Sequence, residues 1–243
     1  MTYCLGIKVK EGLLAIADTR ITSGSETTTA KKVSIHNIQN KSLFIMTSGL
    51  RSVRDKAVTY FNELMEGDNF HYDKMYKAVN AFGEQLRRVA SEDKASLTAS
   101  GLFFNLYAIV GGQLENDLEH KLYLLYPEGN WIEIGEATPF SIIGNSGYGK
   151  PILSRTLSYD SSLRFAFKTG FLSFDSTRVS ASDVGYPIDV VVYKKDSFHI
   201  SETRYTYDQL RGISQNWASK LRANIDQMDE AWMDDFLKKA TIG

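Results

Sequence analysis

The sequence predicts an α+β protein built as a four-layer αββα sandwich, with two antiparallel sheets packed face to face between helical layers. Three observations carry this. Short apolar or alternating strands are joined by polar turns. Two stretches repeat apolar residues at helical spacing. The two kinds succeed each other as blocks, strands then helices then strands then helices, and such blocks bury their apolar faces by stacking as layers.

The first strand runs from Thr2 to Val9 and reaches the second, Leu13 to Ala17, through Lys10-Glu11-Gly12, which predicts a hairpin. A polar loop rich in Ser and Thr leads to strand-like runs at Val33–His36 and Leu43–Met46. Leu50, Val53, Ala57, Phe61 and Leu64 set a helix from about Leu50 to Glu66. After the loop Gly67-Asp68-Asn69, a second helix carries Met75, Val79, Phe82, Leu86 and Val89, a stripe suited to a sheet or another subunit and assigned here to the core. Strands resume at Phe103–Val110, Lys121–Tyr126, Trp131–Ile134 and Phe140–Ile143. Helical segments follow at about Gly149–Ser158 and Leu163–Phe174, then a hairpin of Asp189–Tyr193 and Phe198–Ser201 turning at Lys194-Lys195-Asp196-Ser197.

Composition narrows the class without selecting a function. With 243 residues, 43% of them hydrophobic, the chain has material for one large core. Four scattered prolines, no Gly/Ser-rich linker and no repeat favour a single domain over 1–243, with a helical C-terminal extension from about residue 207. A net charge of -1 and the lack of a basic arm argue against nucleic acid as a partner. The longest apolar run, around Leu102 to Val110, is too short to span a bilayer, and the N-terminus lacks the charged and hydrophobic regions of a signal peptide, so the expectation is no membrane partner and a cytoplasmic location. Cys4, the one cysteine, forms neither a disulfide nor a two-cysteine metal site within the chain; it shares a strand face with Thr2 and reads as a small core residue. No cofactor and no metal are expected.

The chemistry-bearing feature is Thr2 itself. Removal of Met1 would place a hydroxyl and a free α-amine on one residue, a nucleophile with its own base. The amine's reference pKa of about 8 lets it give and take protons near neutral pH. Asp18 closes the second apolar strand and needs a cationic or hydrogen-bonding partner there. Lys31 and Lys32, at the head of the next strand, both qualify. Such a lysine would stabilise a developing alkoxide while the aspartate holds the lysine in place.

Thr2, Asp18-Thr19-Arg20 and Lys31-Lys32-Val33 together resemble the β-type subunits of proteasomes and their bacterial relative HslV. The resemblance covers nearly the whole chain. The spacing from Thr2 to Asp18 is that of the family, whereas the loop to the lysine is about two residues shorter; Lys32, next to Val33, is preferred. The absence of a propeptide beyond Met1, the length, and the C-terminal helical extension bring the chain nearest to the bacterial proteasome-like Anbu family. The resemblance implies the four-layer sandwich and a threonine peptidase. It also implies that Gly49, in Ser48-Gly49 between a strand and a helix, supplies the oxyanion-hole amide. A glycine-rich turn would bring a serine to the N-terminal amine, at Ser146 with one shift or at Asn145 without it. A second support pair is placed at Ser182 and Asp183, before Pro187-Ile188-Asp189-Val190, although their order and spacing follow the family motif loosely.

Other readings compete. Gly144-Asn145-Ser146-Gly147-Tyr148-Gly149-Lys150 matches the phosphate-binding G-x-x-x-x-G-K pattern, yet Pro151 stands where a Mg²⁺-binding hydroxyl belongs. Tyr148 likewise breaks a G-x-S-x-G nucleophile elbow. His36, His71, His120 and His199 show no metal-ligand spacing. In the C-terminal stretch, Leu210, Ile213, Trp217 and Leu221 precede an acidic segment, Asp226–Asp235, around Trp232. Trp232, Met233, Phe236 and Leu237 need burial, which predicts a homo-oligomer; the resemblance implies a ring or open spiral acting on peptide or unfolded protein, with room for an unfoldase partner. A non-catalytic assembly subunit of the same fold is the alternative.

Overall fold

A computed structural model describes residues 2–23, 26–38, 41–67 and 72–240. The strands are β1 (Tyr3–Val9), β2 (Gly12–Asp18), β3 (Arg20–Ser23), β4 (Glu26–Thr29), β5 (Val33–Ile38), β6 (Lys41–Gly49), β7 (Leu106–Gln113), β8 (Lys121–Leu125), β9 (Trp131–Glu133), β10 (Phe140–Gly144), β11 (Ile188–Lys194) and β12 (Ile200–Tyr205). The helices are α1 (Arg51–Glu66), α2 (Met75–Ala99), α3 (Lys150–Thr156) and α4 (Leu163–Ser180), and, in a separate C-terminal unit, α5 (Tyr207–Asp226) and α6 (Ala231–Ala240).

One antiparallel sheet has the order β10-β1-β2-β11-β12 and the other β5-β6-β7-β8-β9. Period-two alternation decides which side chain goes to which layer. Cys4, Leu13, Ala15 and Ala17 of the first sheet meet Phe44, Met46, Ile109 and Leu122 of the second, forming the layer between the sheets. Gly6 belongs to that face: a Cβ there would sit 2.8 Å from Ile109 Cγ2, so close approach of the sheets requires glycine. The opposite face of the second sheet, with Leu43, Ile45, Ala108 and Val110, packs against Val53, Ala57 and Phe61 of α1 and Val79, Phe82, Leu86 and Val89 of α2. On the outer face of the first sheet, Ile7, Leu14 and Ile16 lie under α4 at Gly170. The result is the four-layer αββα sandwich expected from the sequence, and the α2 stripe is core.

Four local differences separate the chain from its sequence reading. The Ser/Thr-rich loop is a small hairpin, β3–β4, with Arg20 opposite Thr29; β4 is exposed along its length, so no apolar period marks it. β7 starts at Leu106, because Phe103 is 87% exposed and outside the core. α4 continues beyond Phe174 to Ser180, since its buried face uses Ser173, Asp175 and Thr177 where an apolar stripe would be sought. β12 extends to Tyr205 despite an exposed Ser-Glu-Thr-Arg run, because its backbone pairs with β11. Residues 68 and 69 of the predicted loop, His71 and Met1 lie outside the described residues.

The C-terminal unit differs in burial. None of the residues of α5 is buried, and Ile225, Met228, Trp232, Phe236 and Leu237 are exposed.

Candidate active site

The end of the β1–β2 hairpin builds the site's floor. Asp18, the last residue of β2, is fully buried. Its Oδ1 accepts the Tyr3 backbone N–H at 2.8 Å and the Lys32 ammonium at 2.7 Å. The Lys32 Nζ also donates to the Arg20 carbonyl at 2.7 Å, and Gly185 N lies 3.5 Å from Asp18 Oδ2. A carboxylate in so dry a place is normally neutralised or paired. Burial pushes the Asp18 carboxyl above its ordinary value, and the Lys32 charge and these hydrogen bonds pull it back only in part.

Lys32 is 6% exposed. Backbone bonds fix its position: the Thr47 N–H donates to its carbonyl at 3.2 Å, and Arg54 Nη1 donates to the Lys31 carbonyl at 2.6 Å. Lys31 points elsewhere, forming a 2.6 Å ion pair with Glu202. The two lysines lie just before β5 with different partners, and Lys32 is the one that meets Asp18.

Thr2 is held by its backbone. Asn145 N–H donates to the Thr2 carbonyl at 2.7 Å. Gly144 has φ +88, and a Cβ on it would lie 1.9 Å from the Thr2 oxygen, so the turn closes on Thr2 only because residue 144 has no side chain. Gly149, further along the turn, packs against Ser173 and Thr177 of α4, with no room for a Cβ. The glycine-rich run is thus committed to holding Thr2 and to packing on α4, which leaves the phosphate-binding reading without a cradle.

Thr2 lines a cavity of about 430 Å³ together with Arg20, Ile21, Thr22, Lys32, Thr47, Ser48, Gly49, Arg51, Arg54, Asn105, Tyr107 and Gly144. Gly49 ends β6 at φ +145, and any Cβ there would come 2.1 Å from the Asn105 carbonyl. That oxygen accepts the Leu50 N–H at 2.8 Å as the chain turns into α1. The glycine is required by the fold at the point where its backbone borders the cavity.

The residues expected near the amine are arranged less tightly. Ser146 is half-buried and outside the cavity lining, and among the described residues its hydroxyl makes no hydrogen bond. Asn145 contributes its backbone N–H. Ser182 is exposed and contributes its carbonyl, which accepts Arg20 Nη1 at 2.7 Å. Asp183 is half-buried and outside the cavity lining; burial raises its carboxyl, but in the unprocessed chain, with Met1 in place, the hydrogen bond and charge of the chain-terminal ammonium outweigh that and hold it below the usual carboxylate range.

Cys4 is inert here. It is fully buried, its Sγ lies 3.8 Å from the Thr47 carbonyl, and burial pushes the thiol up, away from thiolate. Among the described residues no cluster of three or more His, Cys, Asp or Glu could hold a metal ion, and no helix is long and apolar enough to cross a membrane. Sequence reasoning did not single out Arg51, Arg54 and Thr47 as site residues. One signal was present: two arginines opening a helix oppose its dipole.

Comparison with known proteins places this geometry. The proteasome subunit family matches residues 2–192. Among solved structures, a mutant of Anbu from Hyphomicrobium sp. strain MC1 is 33% identical with a TM-score of 0.87, over 95% of this chain and 99% of that one. Anbu, the ancestral β-subunit, from Yersinia bercovieri is 30% identical with a TM-score of 0.86, over 94% and 98%. A helical assembly of the Anbu complex from Pseudomonas aeruginosa is 28% identical with a TM-score of 0.88, over 94% and 97%. No curated protein matches. With the fold, the coverage and the identity in agreement, the chain belongs to the proteasome subunit family, in the N-terminal-nucleophile fold of its Anbu-type members.

Proposed function

We propose that the chain is a threonine hydrolase that cleaves peptide or related amide bonds through Thr2 once Met1 has been removed. One observation carries the reading: the buried Lys32–Asp18 pair stands at the wall of a cavity that Thr2 and Gly49 also line. The freed α-amine, through water, takes the proton from Thr2 Oγ, which attacks the substrate carbonyl. Lys32 lowers the energy of the alkoxide, and Asp18 orients Lys32. The Gly49 N–H receives the oxyanion, a contribution whose loss costs about a hundredfold or more in rate. The amine protonates the leaving nitrogen, and water then releases the acyl group. Asp183, Ser146 and Ser182 serve to orient the freed Thr2 amine.

The Pseudomonas aeruginosa relative is described as a helical assembly. Self-association of this chain, as a ring or open spiral, is part of the proposal and gives the exposed Trp232 and Phe236 a place to bury. Unfolded protein as substrate, an unfoldase as partner and the cytoplasm as compartment belong to the same reading. A non-catalytic assembly subunit is the second reading, favoured by the Ser146 hydroxyl, which makes no hydrogen bond among the described residues.

Intact mass before and after incubation with a peptide epoxyketone separates the two, because ring formation needs both a threonine hydroxyl and a free α-amine. Loss of Met1 and one adduct on Thr2, abolished in Thr2→Ala, is the expected result. Retained Met1 in the purified assembly would overturn the hydrolase reading in favour of the second one.

A further inference from the structure

The cavity beside Thr2 is lined by four cationic side chains, Arg20, Lys32, Arg51 and Arg54, and by no acidic one. Lys32 is matched by Asp18. Arg54 and Arg51 share one carboxylate outside the lining, Asp55, whose oxygens lie 2.6 Å from Arg54 Nη2 and 3.4 Å from Arg51 Nε. Arg20 is held by the Ser182 carbonyl and forms no ion pair among the described residues. The cluster therefore keeps an excess of positive charge that its own neighbours do not cancel.

The local backbone adds to it. Arg51 and Arg54 stand in the first turn of α1, whose dipole is positive at that end. The N-cap, Leu50, makes no side-chain cap hydrogen bond, and no acidic residue occupies the first turn. A second, independent feature lies in the same wall. Thr47 is 4% exposed, lines the cavity, and its Oγ1 has no hydrogen-bond partner among the described residues. A buried hydroxyl without a partner is costly and marks a place for a ligand atom.

Geometry selects which part of a substrate would arrive there. A carbonyl between Thr2 and Gly49 has its own Cα one bond away, so the side chain of that residue enters the cavity. We propose that this cavity selects substrates with a carboxylate side chain, glutamate or aspartate, on the residue whose carbonyl is attacked. Its carboxylate is received by the guanidiniums of Arg20, Arg51 and Arg54 and by the Thr47 hydroxyl. Guanidinium forks held in place by carbonyls and by Asp55 are pre-organised for planar carboxylate recognition. An uncharged side chain of the same size leaves the positive cluster and the Thr47 hydroxyl unanswered. The inference names the substrate class of the proposed hydrolase site and rests on that reading for its place relative to the scissile bond.

Binding and chemistry are tested apart. With the full-length Thr2→Ala chain, calorimetry compares acetyl-Ala-Ala-Ala-Glu amide with its Gln counterpart. The Glu peptide is expected to bind about tenfold or more tightly, the scale of a hydrogen-bonded charge, with the gap narrowing at high salt. Arg51→Glu, on a side chain 62% exposed and therefore safe for folding, should bring the ratio near one, and Arg51→Gln should fall between. Equal binding of the two peptides, binding of neither, or a ratio unmoved by Arg51→Glu would overturn the proposal. With the processed wild-type chain, a Glu epoxyketone is expected to modify Thr2 faster than a Leu epoxyketone. If neither reacts while the Glu-over-Gln discrimination stands, the threonine chemistry fails and the carboxylate pocket survives.

Discussion

Asp18 and Asp183 are the same residue type, both expected at the candidate site, and the structure treats them in opposite ways. Asp18 is fully buried at a strand end, and burial drives its carboxyl up. Asp183 is half-buried in a loop and, in the unprocessed chain, is driven down, because the terminal ammonium outweighs its partial burial. Asp18 is tied to Tyr3 N–H and Lys32 by bonds of 2.8 and 2.7 Å within the sheet framework. The side of the site that would tune the nucleophile is therefore built into the sheet framework, whereas the Asp183 side lies in a loop outside it. A substitution on the first side tests folding and chemistry together; one on the second tests chemistry nearly alone.

The largest effect to expect is from breaking the buried pair. Asp18→Ala leaves Lys32 a buried unpaired cation, and Lys32→Ala leaves Asp18 a buried unpaired anion; each should cost about 3–5 kcal/mol in urea denaturation and end adduct formation at Thr2. Lys31→Ala, which removes only the partly exposed pair with Glu202, should stay within about 1 kcal/mol of wild type. Equal losses at positions 31 and 32 would erase the distinction between the two lysines.

A smaller effect is expected at Asp183. Asp183→Asn should slow adduct formation by about tenfold, within the range of a positioned acid–base group, while stability changes by no more than about 0.5 kcal/mol. A large loss of stability instead would make Asp183 as structural as Asp18.

The smallest effect, and the one that reads the contrast most directly, is the sign of the pH dependence. With Met1 in place, Asp183 has a depressed pKa when folded, so in the unprocessed chain its contribution to stability is present above the unfolded value of 3.8 and is lost as pH falls through the folded one. Asp18 has a raised pKa when folded, so its contribution is fully present below 3.8 and is lost as pH rises through the folded value. The stability difference between wild type and Asp183→Asn should thus shrink on acidification from pH 5 toward 2, while wild type gains on Asp18→Asn over the same change. Parallel slopes would mean that the two carboxyls share one environment.

Sequence alone revealed the parts of this site that follow from chain geometry. Asp18 could be placed because an acid at the end of Leu13–Ala17 breaks an apolar run, whereas Lys31 and Lys32 both qualified from the residues and Lys32 was preferred by the resemblance, as the lysine next to Val33. The sandwich was legible because β1 alternates, β2 and β6 are short apolar runs, and α1 repeats apolar residues at a period of 3.6. Polar burial hid the rest. α4 continues past Phe174 on Ser173 and Thr177, and Ser173 meets the Tyr3 hydroxyl at 2.7 Å, a contact across 170 residues that no local pattern signals. Arg51 and Arg54 look in sequence like the solvated face of a helix, and only the fold shows them lining one cavity with residues of β3 and β6. Ser146 and Ser182 were placed by resemblance; in the structure it is the Asn145 amide that reaches Thr2, while the Ser182 carbonyl holds Arg20.

The clamp on the Thr2 carbonyl also sets a clock. Its partners, Gly144 and Asn145, are synthesised roughly 140 residues after Thr2. At about 5–20 residues per second that leaves about 7–30 s in which the start of the nascent chain is still unpaired with β10. In the proposed mechanism this interval gives an aminopeptidase access to the Met1–Thr2 bond before β10 pairs with β1.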